Sequence, residues 1–141
     1  MVIKETITIN STLEKVWATF TDLACWVNWN TVLKDVHAKG RSLADGKSLK
    51  CTLRPFFLPI NVKLQIEEIV PQERIVWIAR KKGLEARHEF LFESNEKGTH
   101  VISRETFTGM LTVGSGLLLP VKRMKTLTGI FLKDLKKAAE L

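Results

Sequence analysis

Leu117-Leu-Leu-Pro-Val-Lys-Arg-Met-Lys-Thr-Leu-Thr-Gly-Ile-Phe-Leu-Lys-Asp-Leu-Lys-Lys-Ala-Ala-Glu-Leu141 closes the chain, and the way this stretch must be buried decides the fold. Leu117, Val121, Met124, Leu127, Phe131, Leu135 and Ala138 follow one another at spacings of four, three, three, four, four and three, which predicts a helix with one apolar stripe. Lys122, Arg123, Lys125, Lys133, Lys136 and Lys137 occupy the rest of its surface, so the stripe must lie on a partner while the far side stays in water. Pro120 suits a first helical turn. From there to the end the rise is about 33 Å at roughly 1.5 Å per residue, the reach of strands of about ten residues. A curved sheet that grips this helix is therefore expected from the preceding chain.

That chain reads accordingly. Val2–Ile9 alternates as a strand with one wet face, and Ser11 or Thr12 can cap a helix carrying Leu13, Val16, Trp17 and Phe20, with Glu14 near the positive end of its dipole. A second short helix, Leu23 to Trp29, sets Trp26 and Trp29 on one side. Two helices this short cannot form a bundle and are expected to plug the open end of a sheet. Six strands follow: Val32–Lys39, Lys47–Leu53, Ile60–Val70, Arg74–Lys82, Leu84–Glu93 and Thr99–Gly109, separated by Gly40, Asp45-Gly46, Pro55 to Pro59, Pro71, Gly83 and Asn95 to Gly98. Short connections favour an antiparallel meander, and Ile60, Val62, Leu64 and Ile66 alternating with polar residues bury one face only. The fold class is α+β: about seven antiparallel strands around a long C-terminal helix, with two short helices after strand one.

One register follows from a turn. Asn95-Glu96-Lys97-Gly98 reads as a four-residue hairpin loop with glycine in the left-handed position. Ser94 then faces Thr99, and counting back sets Phe92 opposite Val101, Phe90 opposite Ser103 and His88 opposite Glu105. A slip of one residue would pair His88 with Arg104 instead.

Composition bounds the partners. A chain of 141 residues without a Pro/Ser/Gly-rich linker suits one domain spanning residues 1–141. No run of eighteen apolar residues offers a membrane span, and the opening Met1-Val-Ile-Lys-Glu lacks the pattern of a signal peptide, so a cytoplasmic protein is expected. Cys25 and Cys51 fit neither a zinc spacing nor a disulfide scaffold and read as buried free thiols. The net charge of +7 raises nucleic acid and anionic lipid as partners. No stacking aromatics interleave with the basic residues, which speaks against nucleic acid and leaves weak contact with an anionic membrane. The apolar stretches Arg54-Pro-Phe-Phe-Leu-Pro-Ile60 and Met110 to Leu119, with Gly114 and Gly116 as hinges, read either as a greasy rim or lid at a cavity mouth or as a cover for the core. Whether the protein is a monomer or a dimer is left open.

Chemistry-bearing motifs are few. His37, His88 and His100 sit on separate predicted strands with no metal-ligand spacing, so no metal is expected. No glycine-rich phosphate loop follows a strand and no cofactor is expected; Ser115 sits in no nucleophile elbow. The constellation that stands out is His88 with Glu105, joined by Ser103 on the same inner face. It reads three ways: a self-satisfied pair that stabilises the hairpin, a polar anchor for a ligand hydroxyl or carbonyl, or a general acid–base pair able to enolise a ketone or dehydrate an aldol. Arg87, Glu89 and Arg104 are expected to point outward into solvent.

The order strand, two short helices, six strands and one long helix resembles the helix-grip fold of the START-like superfamily, and within it the polyketide cyclase/dehydrase-like (SRPBCC) proteins. The resemblance covers the whole chain. It is carried by Ile7-Thr-Ile-Asn-Ser-Thr-Leu-Glu-Lys-Val-Trp17, Trp26-Val-Asn-Trp-Asn30, Arg87-His-Glu-Phe90 and Arg104-Glu-Thr-Phe-Thr-Gly-Met-Leu111. It implies an apolar cavity between sheet and helix for lipids, polyketides or other small molecules, and only some such proteins are enzymes. The sheet is then expected to contribute Trp77, His88, Phe90, Phe92, Ser103, Glu105 and Phe107, and the helix Met124, Leu127 and Phe131. Trp26 and Trp29 read as end-cap packing or as ligand contacts. Phe56, Phe90, Phe92 and Phe131 are large enough to fill the space themselves, and the sequence leaves an open and a filled interior as alternatives. Binding of a small hydrophobic molecule is the first expectation; a cyclase, aromatase or dehydratase using His88 and Glu105, and a lipid carrier, are the others.

Overall fold

The computed structural model describes residues 1–54, 59–81, 83–109 and 121–141. The expectations placed on Pro55 to Leu58, Lys82 and Met110 to Pro120, among them the apolar rim, the start of the last helix and Ser115, lie outside the described residues.

The chain runs β1 (Val2–Ile9), α1 (Leu13–Thr21), a short 3-10 turn (Leu23–Cys25), α2 (Trp26–Trp29), β2 (Lys34–Ala38), β3 (Ser48–Leu53), β4 (Ile60–Val70), β5 (Arg74–Lys81), β6 (Leu84–Asn95), β7 (Gly98–Gly109) and α3 (Val121–Ala139). All seven strands form one curved antiparallel sheet in the order β1-β7-β6-β5-β4-β3-β2. β1 joins the meander by pairing with β7, so that β1 and β2 are the edges of an open sheet. Irregularities between Ile66 and Glu68 in β4 and between Lys34 and His37 in β2 bend the outer wing.

The hairpin register is the one the sequence indicates: Phe92 opposite Val101, Phe90 opposite Ser103, His88 opposite Glu105. The turn is tighter than a four-residue loop, because Asn95 pairs directly with Gly98 and only Glu96 and Lys97 lie between them. Gly98 has φ +128, and a Cβ there would stand 2.3 Å from the Ile9 carbonyl oxygen, so the turn needs glycine for backbone shape and for close approach alike.

Thr12 is the cap of α1; its Oγ1 accepts from the Lys15 N–H at 3.2 Å. The second predicted helix is shorter than expected: Leu23–Cys25 winds as 3-10 and only Trp26–Trp29 makes an α-turn. It is fastened by side chains instead. The Trp26 indole donates to the Phe20 carbonyl at 2.8 Å. Asn30 Oδ1 accepts from the N–H groups of Val32 and Leu33, at 3.0 and 2.9 Å.

α3 packs against β1, α1 and α2, and its C-terminal half is tied down at both sides. Asp134 accepts from the backbone and hydroxyl of Thr31 at 2.9 and 2.6 Å, Lys136 donates to the Thr8 carbonyl at 3.0 Å, and Glu140 accepts from the Asn10 N–H at 2.7 Å. The buried arc of α3 differs from the predicted stripe. Met124, Leu127, Phe131 and Leu135 are buried as expected, but Thr128, Leu132 and Ala139 join them, while Val121 is exposed and Ala138 is half-buried. A helix clasped by an edge strand and two other helices as well as a sheet buries a wider arc than one lying on a flat surface.

The convex face corrects a second expectation. Val76 and Ile78 are buried although they alternate with the inner-facing Ile75, Trp77 and Ala79. Val76 pairs with Glu68 on one side and Glu89 on the other, and Arg74 ion-pairs with both carboxylates, lying across the valine. Glu89 is thus held in an ion pair rather than freely solvated.

Candidate functional site

Alternation along paired strands sets the inner face. With His88 opposite Glu105 and Trp77, the rows on either side are Phe90, Ser103 and Ile75, then Ala86, Phe107 and Ala79. Each of these side chains therefore points toward α3.

Toward the end capped by α1 and α2 the interior is solid. Phe20 meets Trp26, Trp77, Phe90, Phe92 and Phe131 at ring-centroid distances between 4.9 and 6.2 Å, and Phe131 also touches Trp26, Trp29 and Phe90. Most pairs are edge-to-face, the arrangement aromatic quadrupoles prefer. Phe90, Phe92 and Phe131, expected as cavity wall, are core at this end. Trp17 packs edge-on to Phe92 at 5.1 Å as end-cap.

Exposure rises along the face. Phe20, Ile75, Phe90 and Ser103 are fully buried, whereas His88, Glu105 and Met124 each keep 8 % and Leu127 keeps 7 %. Beyond them Leu53, Val62, Ala79, Leu84 and Ala86 on the inner face are only half-buried. The structure thus sets His88 opposite Glu105, with the Trp77 ring 5.7 Å from the imidazole, at the boundary between packed core and the half-buried end, and Met124 and Leu127 on the core-facing side of α3 are exposed to the same slight degree.

His88 Nε2 lies 2.6 Å from Ser103 Oγ, its Nδ1 lies 3.5 Å from Glu105 Oε2, and its ring stacks on Phe90 at 4.1 Å. Burial pushes the imidazole down to about 3 and the Glu105 carboxyl up to about 7. The 3.5 Å contact meets the distance for an ion pair, yet it is longer than the roughly 2.8 Å of a charge-assisted hydrogen bond that would offset the lost hydration of two ions. The uncharged form prevails: neutral imidazole beside a carboxyl that keeps its proton until near neutrality. In that form one nitrogen of the ring faces Glu105 and the other shares a hydrogen bond with the Ser103 hydroxyl.

Serine, imidazole and carboxyl in this order have the connectivity of a nucleophile, base and orienter. Two facts oppose that use. Ser103 is the buried end of the string, and the imidazole is too weak a base to take its proton at neutral pH. Ser103 holds His88, whose other ring nitrogen faces Glu105, and His88 and Glu105 are equally exposed, at 8 % each.

Sequence reasoning missed three features. Phe20 is the hub of the aromatic cluster, legible only as a helix-face residue until the helix is set on the sheet. Cys25, expected as a buried free thiol, is only half-buried and its thiol donates to Asp22 at 3.1 Å, while Cys51 is buried as expected on the inner face of β3, where burial pushes its thiol up to about 12. A pocket between the 3-10 turn and β3, lined by Leu23, Leu43, Leu49 and Ile66, has a volume of about 10 Å³, room for about one water. Among the described residues no three His, Cys, Asp or Glu side chains cluster as metal ligands, and no helix is long and apolar enough to cross a membrane.

A curved antiparallel sheet gripping a C-terminal helix, with one polar group on its inner wall, defines a START-like helix-grip domain of the SRPBCC type. The particular family is equally plain: residues 1–140 match the family described as "Polyketide cyclase / dehydrase and lipid transport", and the chain belongs to it. Among solved structures it is similar to TTHA0849 from Thermus thermophilus (16 % identity, TM-score 0.81, covering 99 % of this chain and 97 % of that one). It is similar to jhp0584 from Helicobacter pylori (17 % identity, TM-score 0.77, 99 % and 88 %). It also resembles DynU16 (12 % identity, TM-score 0.71), of which it covers 46 % while 96 % of this chain is covered. At these identities the likeness is one of fold. No curated protein matches the sequence.

Proposed function

We propose that the protein binds a small or medium-sized apolar molecule between its sheet and α3, with the His88–Ser103–Glu105 group as polar anchor. The observation that carries this reading is that group itself: three polar side chains in a row, buried on an otherwise apolar wall, with Ser103 fully enclosed and His88 and Glu105 both where exposure begins. A polar network of this kind contributes little as hairpin support, since apolar residues of similar size would fill the same row at no desolvation cost. The family description names polyketide cyclisation and lipid transport, both of which handle large apolar molecules bearing a few oxygens, and DynU16 is described as a protein of the dynemicin biosynthetic locus. The test is native mass spectrometry of the protein as purified, set against Met124→Trp, whose indole would fill space between α3 and the sheet. A small-molecule adduct on the wild type that is lost in the variant supports binding; bare protein in both, with no uptake of added apolar compounds, contradicts it.

A second reading has its own support. A carboxyl brought to about 7 by burial is matched to proton transfer at neutral pH, and, like His88, it lies where the inner face begins to be exposed. Glu105 would then serve as general acid–base toward a ligand carbonyl, with His88 as its positioning residue.

A further inference from the structure

Charge is sorted along the molecule. At one end of the sheet β3 and β5 finish and β4 and β6 begin, and there the inner-face residues Leu53, Val62, Ala79, Leu84 and Ala86 are only half-buried. On the outer face of these strands Lys50 stands directly opposite Lys63, and one step on from the Leu64–Ala79 pair Arg80 lies beside Lys63. Lys81, at the tip of β5, donates to the Asn61 carbonyl at 2.6 Å. α3 adds to the same end. Its Lys125 reaches Glu5 and its Glu140 reaches Asn10, so the helix runs alongside β1 with its start toward Val2, and Lys122 and Arg123 are exposed in its first turn.

Acids do not balance these cations. Glu85 pairs with Arg80 and Glu5 with Lys125, Asp35 lies on the edge strand β2, and Glu105 faces His88 inside. Among the described residues no carboxylate comes within ion-pair distance of Lys50, Lys63, Lys81, Lys122 or Arg123, and the residues outside the description include no acid. Glu67, Glu68, Glu73, Glu93 and Glu96 gather at the opposite end, alongside Arg74, Lys47 and Lys97. Two local rules are broken at the basic end: like charges stand directly opposite across a strand pair, and cations occupy the helix turn whose dipole favours anions. Both arrangements weaken the free protein and are relieved beside a dense negative surface. Val2 and Val121, both exposed, open the first strand and the last helix there.

We infer that this end is a docking surface for a membrane containing anionic lipids. Apolar side chains set among cations are the composition of an interfacial contact. No aromatic among the described residues stands exposed between these cations to stack bases, which favours lipid over nucleic acid. The inference goes beyond the apolar-ligand reading: docking does not depend on a guest, and it sets the least covered part of the inner face against the bilayer, where a guest can pass without crossing water.

The test is co-sedimentation of the full chain, with no ligand added, with vesicles of phosphatidylcholine alone or with about 30 % phosphatidylserine. Docking predicts binding to the mixed vesicles only, lost between about 0.1 and about 1 M salt as the screening length falls from about 10 to about 3 Å. Lys63→Gln combined with Lys122→Gln should weaken binding about 10- to 30-fold, each basic residue near an anionic surface being worth about fivefold. That variant should melt no lower than the wild type, because a like-charge contact is removed. Lys47→Gln combined with Lys97→Gln, the same change of charge at the opposite end, should weaken binding less than about threefold. Equal binding to both vesicle types, binding to neither, or equal loss in the two double variants overturns the docking surface. So does tighter binding of a single-stranded oligonucleotide than of the mixed vesicles, which would make the partner a nucleic acid. Because the assay contains no added ligand, such a result overturns the docking surface and not the apolar-ligand reading.

Discussion

Ser103 Oγ and His88 Nε2 stand 2.6 Å apart on a wall that is otherwise aromatic and aliphatic. The contact holds the imidazole ring in one plane, stacked on Phe90, and fixes which of its nitrogens faces Glu105. The polar group is thereby a rigid feature rather than three independent side chains. Ser103→Ala should release it: the His88 ring signals broaden in NMR spectra, and stability falls by about 1 kcal/mol or more, the cost of a buried hydrogen bond with one partner left unpaired.

The pair has a signature in pH. Glu105 is raised from 4.5 to about 7, so its contribution to stability is whole below pH 4.5 and is lost as pH rises to about 7. His88 is lowered from 6.5 to about 3, so its contribution is whole above pH 6.5 and is lost as pH falls to about 3. Between pH 4.5 and 6.5 the two slopes oppose each other and the pair is neutral in its effect. Glu105→Gln removes one of them. Its stability relative to the wild type should climb from pH 4.5 to about 7 and level off near 3 kcal/mol, from about 2.5 pH units at 1.36 kcal/mol each. Denaturant melts across that range measure it, and a difference independent of pH would refute the uncharged pair.

The aromatic cluster sets the price of loosening α3. Phe131→Ala removes contacts to Phe20, Trp26, Trp29 and Phe90 together and should destabilise by about 3–5 kcal/mol. Val121→Ala, at the exposed start of the same helix, should cost under about 0.5 kcal/mol. Equal costs would mean that the interior is not packed as described.

Gly98→Ala tests the register. The new Cβ would stand 2.3 Å from the Ile9 carbonyl and 2.9 Å from the Ser11 backbone, in a conformation that L-residues avoid. A loss of at least about 2 kcal/mol is expected, with altered amide signals on both sides of the turn.

The fold was legible because its main signals are periodic. Val2–Ile9, Ile60–Val70 and the Met124–Leu127–Phe131–Leu135 stripe each state which face is buried, and the Asn95–Gly98 turn fixes one register from which His88 and Glu105 fall opposite each other. What was illegible depends on contacts across the sequence. Leu132 and Ala139 are buried because β1 and α1 flank the helix, and Val76 because Arg74 bridges Glu68 and Glu89 above it. The candidate site was visible as a residue pair; its arrangement, with Ser103 fully enclosed and His88 and Glu105 equally at the boundary, was not.

Whether the space beside His88 takes a guest is decided most directly by titrating an apolar fluorescent ligand, such as a naphthalene ketone, into wild type, His88→Gln and Met124→Trp. Binding to the wild type, binding that is weaker but still measurable in His88→Gln, which disturbs the polar anchor without closing the space, and loss of binding in a folded Met124→Trp are the predicted results. Undiminished binding to Met124→Trp, or none to the wild type, would contradict a ligand site between the sheet and α3.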